Sequence, residues 1–61
     1  AIAADPQHAQ AHHNLGAVLG NRGDFAGAAR SFAAALKIDP ANARAKEGLP
    51  LALRMLKEEK M

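Results

Sequence analysis

The feature that most constrains the fold of this chain is an internal repeat with a period of about 34 residues. When the chain is shifted against itself by 34 residues, the segment Ile2–Pro6 aligns with Leu36–Pro40, and both segments end in Asp-Pro. The same shift places Ala9, Ala11, Leu15 and Leu19 on Ala43, Ala45, Leu49 and Leu53. A unit of this length has room for two short helices, so the repeat predicts stacked helical hairpins.

Two amphipathic helices are predicted in the centre of the chain, and small residues predict where they touch. The inward residues of the first helix are expected to be Leu15, Gly16, Val18 and Leu19. The second helix carries a stripe with helical spacing, formed by Ala28, Phe32 and Ala35. Because Gly16 and Ala28 are both small, we expect the two backbones to meet most closely where these residues face each other.

Turn and cap residues set the predicted bounds of the helices. Gly23 tolerates a positive φ at the end of the first helix, and Asp24 is a favoured N-cap for the second. Asn42 is a plausible cap for a third helix, in which Pro50 predicts a kink or a break near Gly48 because proline lacks an N–H group. The alternative is a fresh helix that begins near Leu49, because proline is favoured in a first helical turn. The predicted helices are Gln7–Asn21, Asp24–Ile38 and Ala43–Lys60.

On these residues the chain resembles the tetratricopeptide repeat family. The matching positions are Leu15-Gly16, Ala28, Phe32, Ala35 and Asp39-Pro40, with Asn14 and Gly23-Asp24-Phe25 matching the common consensus. The resemblance implies an all-α fold, a fragment of an α-solenoid built from an antiparallel helix–turn–helix repeat with a C-terminal capping helix. The chain departs from the family where His12 and Leu19 replace the usual Trp and Tyr and where Pro50 replaces the signature Gly.

The resemblance also divides the single domain, residues 1–61, into three parts. Residues 1–8 would end a preceding repeat, 9–42 would form one complete repeat, and 43–61 would form the capping helix. We expect Ala1–Ala4 to be the last turn of an incomplete helix, with Ile2 packed on the next helix. Since about three stacked units are normally needed for stability, we expect either a fragment of a longer array or association with other chains. Leu51 and Met55, which lie off the main stripe of the third helix, are the candidates for self-association.

Composition excludes several classes of partner. A chain of 61 residues without cysteine allows one domain with a small core and no disulfide support. The net charge is +2 and the eight basic residues are scattered, which does not indicate nucleic-acid binding. No stretch approaches the roughly 20 apolar residues of a membrane span, and no targeting signal is visible. The cytoplasm is the default expectation for the compartment.

None of the candidate chemical motifs indicates a catalytic site. His8 and His12, spaced i and i+4, could grip a metal ion from one helix face, but no third strong ligand is fixed nearby, so a metal carrier is a minor hypothesis. Arg22-Gly23-Asp24 spells an adhesion tripeptide and is more simply the turn between two helices. Gly16 and Gly20 have the spacing of a membrane dimerisation motif, yet polar residues surround them. With Ser31 as the only serine and no Thr or Cys, we predict no catalytic residues, no cofactor and no metal.

A candidate binding face follows from the family resemblance, because first helices of successive repeats line a concave groove that binds peptides. The groove-facing candidates are Gln10, His13, Asn14, Ala17, Asn21 and Arg44. Asn14 and Arg44 match two positions of the subgroup that clamps a C-terminal carboxylate. That clamp needs a second basic residue where this chain has Gly48 and further residues from a preceding helix. The alternative is that this edge of the array contributes stability and no ligand contacts.

These observations predict a non-enzymatic module that binds a protein or peptide, or scaffolds an assembly, through its helical surfaces. The alternative is a non-catalytic tail of a larger enzyme, such as a glycosyl- or methyltransferase, since repeats of this kind often accompany such enzymes. Abundant Ala, Gly and Arg are typical of a GC-rich bacterial source.

Overall fold

Three α-helices make up the part of the chain that the structure, a computed structural model, describes, which is residues 6–59. They are α1 (Pro6–Asn21), α2 (Phe25–Ile38) and α3 (Ala43–Glu59). Residues 6–59 contain no strand, which confirms the predicted all-α fold, and each helix begins and ends within one residue of its predicted bounds. The expected helical turn at Ala1–Ala4, with Ile2, lies outside the described residues.

Helix α2 lies at the centre of the fold. Both α1 and α3 pack against it, and they contact each other far less. The turn from α1 to α2 is made by Gly23, whose φ of 86° is the left-handed conformation that glycine adopts without strain. Asp24 then caps α2, because its Oδ1 accepts a hydrogen bond of 2.9 Å from the N–H of Gly27.

A second pair of caps places α3 on the other side of α2. The N–H of Asp39 donates the last helical hydrogen bond of α2, to the carbonyl of Ala35 at 2.8 Å, and the helix ends there because the backbone of Asp39 is extended. Asn42 caps the start of α3, since its Oδ1 accepts a hydrogen bond of 2.9 Å from the N–H of Ala45. Short connections of this kind bring neighbouring helices back antiparallel.

Pro50 lies inside α3 and does not end it, so the predicted break is wrong. The helix is continuous from Ala43 to Glu59, although Pro50 removes the N–H that the carbonyl of Lys46 would otherwise accept. Ala45 and Ala52, on either side of the proline, are both buried against the core. This packing holds both halves of α3 in place while Pro50 faces solvent. A kink within the continuous helix stays a prediction.

The core is built around the aromatic ring of Phe32, which lies between a glycine of α1 and a glycine of α3. A Cβ atom added at Gly16 would lie 3.0 Å from the Phe32 ring, and one added at Gly48 would lie 2.5 Å from it. The other buried apolar residues are all alanines, namely Ala9, Ala28, Ala29, Ala35, Ala45 and Ala52. The absence of side chains at the two glycines therefore lets both outer helices close on one large ring.

The face that α1 turns towards α2 differs in part from the expected one. Gly16 contacts Phe32, and Gly20 lies near Ala28, since a Cβ added at Gly20 would be 3.9 Å from the Cβ of Ala28. The expected close approach of Gly16 to Ala28 stays a prediction. Leu15 and Val18, expected to point inward, are 48% and 49% exposed, because Ala9 and Gly16 form the face that meets α2. Leu19 is half-buried against the core, as expected.

The two glycine environments predict opposite effects of the same substitution. Gly48→Ala should lower the free energy of unfolding by about 1–3 kcal/mol, because its methyl group overlaps the buried Phe32 ring. Gly20→Ala should raise it by roughly 0.5–1 kcal/mol, since alanine favours a helix and the space at Gly20 permits a methyl group. Urea unfolding followed by circular dichroism measures both. If Gly48→Ala is as stable as the parent chain, the proposed role of Phe32 is wrong.

Candidate functional site

A concave groove runs between α1 and α3, with α2 as its floor. It consists of two hollows that share four lining residues, Ala17, Phe32, Gly48 and Leu51. Because Gly48 has no side chain and Ala17 has a small one, the Phe32 ring contributes to both hollows. The two hollows therefore form one continuous groove, which we call the α1–α3 groove.

One half of the groove is polar. Its volume is about 650 Å³. Beyond the shared residues it is lined by Gln10, His13, Asn14, Arg44 and Glu47. Amide, imidazole and guanidinium groups here offer hydrogen-bond donors, and Glu47 adds one carboxylate, so this half suits the polar groups of a peptide.

The other half is apolar. Its volume is about 350 Å³. Its further lining residues are Gly16, Gly20, Asn21, Phe25, Ala28, Ala52 and Met55. Apart from Asn21 these residues carry no polar side chain, so this half suits a large apolar side chain of a bound segment.

The structure brings all six sequence-predicted binding residues into this groove. Gln10, His13, Asn14, Ala17 and Arg44 line the polar half, and Asn21 lines the apolar half. Leu51 and Met55, predicted to form a self-association surface, also line the groove. Whether any of these residues contacts a partner stays a prediction.

Among the lining residues with large side chains, sequence reasoning missed Phe25, Phe32 and Glu47. Glu47 lies one turn after Arg44 on the same face of α3, so helical spacing from Arg44 would have found it. Phe32 was assigned to the core alone. Its role as a floor depends on Gly48, and nothing in the sequence pairs these two residues.

The geometry also explains why the carboxylate clamp of the family is incomplete here. Its second basic residue would stand at Gly48, where an added Cβ would lie 2.5–2.7 Å from three atoms of the Phe32 ring. A lysine or arginine at this position therefore requires the ring to move. At this position the groove therefore has the apolar ring of Phe32 in place of the second basic side chain of the clamp.

The imidazole of His13 is incompletely satisfied. Its Nδ1 is buried, and among the described residues it is the one buried side-chain nitrogen or oxygen without a hydrogen-bond partner. Leaving a buried polar atom unpaired costs about 1–3 kcal/mol. The unpaired Nδ1 of His13 is therefore expected to lower the free energy of unfolding.

Other motifs found in the sequence have structural roles or lie apart. The carboxylate of Asp24 in the Arg22-Gly23-Asp24 tripeptide is engaged in the cap of α2. Within residues 6–59, no group of three or more His, Cys, Asp or Glu side chains could hold a metal ion. Over the same range, each helix is too short or too polar to traverse a lipid bilayer.

The antiparallel helices and the groove between them define the class of helical-hairpin repeat proteins. The sequence pattern of the tetratricopeptide repeat matches residues 9–42, which is more than half of the chain. The chain belongs to the tetratricopeptide repeat family. Repeats of this family generally mediate protein–protein interactions and are typically non-catalytic scaffold modules. No curated protein matches the chain, and no solved structure matches it either.

The unsatisfied nitrogen of His13 predicts that His13→Leu stabilises the fold. The free energy of unfolding should rise by about 1 kcal/mol, because leucine fills similar space without an unpaired polar atom. The control is His12→Leu, the same substitution at the adjacent half-buried histidine of α1. Thermal unfolding of both variants provides the measurement. An equal gain at both positions would mean that the Nδ1 of His13 is not the cause.

Proposed function

We propose that the α1–α3 groove binds a peptide segment of a partner protein and that the chain has no catalytic activity of its own. The observation that carries the proposal is that the groove collects all six side chains predicted from the family resemblance. Five of them lie together in one polar half that adjoins an apolar half. Such a surface suits recognition by contact and contains no residue set for a reaction.

The dimensions of the groove favour a short segment. Gln10 and Asn21 mark its two ends on α1 and are separated by about 16 Å along the helix axis, at 1.5 Å per residue. An extended peptide covers this length with roughly five residues. Such a segment would place backbone groups and polar side chains against Arg44 and Asn14. It would also place one large apolar side chain over the ring of Phe32.

Arg44→Ala tests the proposal. The probe is a peptide selected on the immobilised protein from a phage-displayed random library, then synthesised and titrated by isothermal calorimetry. Loss of Arg44 should weaken its binding by roughly ten- to a hundredfold, because a hydrogen bond to a charged group contributes roughly 1.5–3 kcal/mol.

The matched control is Arg30→Ala, which removes the same side chain and charge from an exposed position of α2 outside the groove. Arg30→Ala should leave the dissociation constant unchanged. Equal weakening by both substitutions would indicate non-specific charge attraction. Binding unaffected by Arg44→Ala and by Leu51→Ala together would place the peptide elsewhere and contradict the proposal.

A further inference from the structure

Four large apolar side chains are about half exposed or more in the described residues. They are Leu15 (48%), Val18 (49%), Leu51 (58%) and Leu53 (50%). Leu51 lines the α1–α3 groove, and this position accounts for its exposure. The other three do not line the groove, so a different surface must account for them.

Leu15 and Val18 share one face of α1 with Ala11. The three residues are spaced i, i+4 and i+7, which is one stripe of a helix, and all three are exposed. We call this stripe the α1 edge. Since none of its residues lines the groove, the α1 edge is a separate apolar surface.

Charge distinguishes the α1 edge from the surface around Leu53. From Pro6 to Asn21, α1 contains no Asp, Glu, Lys or Arg, whereas α3 contains seven such residues. On the face of Leu53, Lys57 follows at i+4 and Lys46 precedes at i−7. Two copies meeting at Leu53 would bring these ammonium groups together, which opposes association. The α1 edge itself carries no formal charge, and Arg22, which follows Val18 at i+4, lies beyond its end, so an antiparallel pairing centred on Leu15 keeps the two Arg22 side chains at opposite ends of the contact.

The small core gives association a thermodynamic reason. No large side chain of the described residues is completely buried, and alanines make up the core around Phe32. Domains of this size bury a smaller fraction of their unfolded surface than larger domains do, and they often gain stability from oligomerisation. Covering Leu15 and Val18 would add apolar burial that the single chain does not supply.

We propose that a second copy of this chain docks on the α1 edge, with the two α1 helices antiparallel about a two-fold axis near Leu15. The stripe runs from Ala11 to Val18, so its midpoint lies beside Leu15. An antiparallel pairing then places Leu15 against Leu15 and the small Ala11 against the larger Val18. Such a contact uses the same patch on both copies and closes after two chains.

The dimer leaves the α1–α3 groove of each copy open. Two grooves on one particle would bind a partner with two suitable segments far more tightly than one groove does, provided that the segments span the distance. This consequence rests on the proposed function, whereas the dimer itself does not.

Leu15→Glu and Leu15→Lys test the dimer, with sedimentation equilibrium as the readout and no added peptide. Each variant alone should raise the dimer dissociation constant by roughly a hundredfold or more, because equal charges then face each other across the two-fold axis. An equimolar mixture of the two variants should associate again, because opposite charges then face each other. Leu53→Glu is the control for a similarly exposed leucine and should leave the parent dimer intact.

Circular dichroism establishes that each variant is folded. If the Leu15 variants lose their helical signal, Val18→Lys on the same stripe replaces them and should also dissociate the dimer. A parent chain that is monomeric at all concentrations would overturn the proposal, and destabilisation by Leu15→Glu would then indicate cover by the segment Ala1–Asp5. Dissociation by Leu51→Glu but not by Leu15→Glu would place the contact in the groove. Growth beyond two chains, or no rescue in the mixture, would exclude the two-fold arrangement.

Discussion

The packing of one aromatic ring between two glycines is the constraint on which the rest of the structure depends. Phe32 reaches from α2 to Gly16 of α1 and to Gly48 of α3, so a single side chain sets the distance of both outer helices from the central one. The alanines around it are too small to fill that space. Because α1 and α3 contact each other little, their relative position follows from the contacts that each of them makes with α2.

The same contact shapes the candidate binding surface. With no side chain at Gly48, the ring of Phe32 becomes part of the floor of the groove, and the polar and apolar halves join over it. A larger residue at that position would separate the halves and displace the ring. The core residue that holds the helices together is thus also the residue that a bound segment would meet under the proposed function, so a change in this packing would alter both stability and the proposed binding surface.

The sequence predicted the elements better than their contacts. Cap and turn residues such as Asp24 and Asn42 act locally, so they determine helix bounds to within one residue. The contact of Gly16 with Phe32 was not predicted, because helical spacing alone does not show which large side chain of α2 reaches a glycine of α1. Leu15 was placed inward because an apolar stripe does not indicate which neighbour covers it. The groove residues were found through family positions, while the floor was missed because it needs the Phe32–Gly48 pairing.

Glycine and proline inside the outer helices couple local structure to tertiary contact. Gly16 and Gly20 weaken α1, and Gly48 and Pro50 weaken α3, so neither segment has a strong tendency to be helical in isolation. Short helices of this length gain most of their stability from packing. We therefore expect α1 and α3 to become helical and to pack against α2 in one cooperative step. An interaction that stabilises the packing around Phe32 would also stabilise the helical backbone of α1 and of α3.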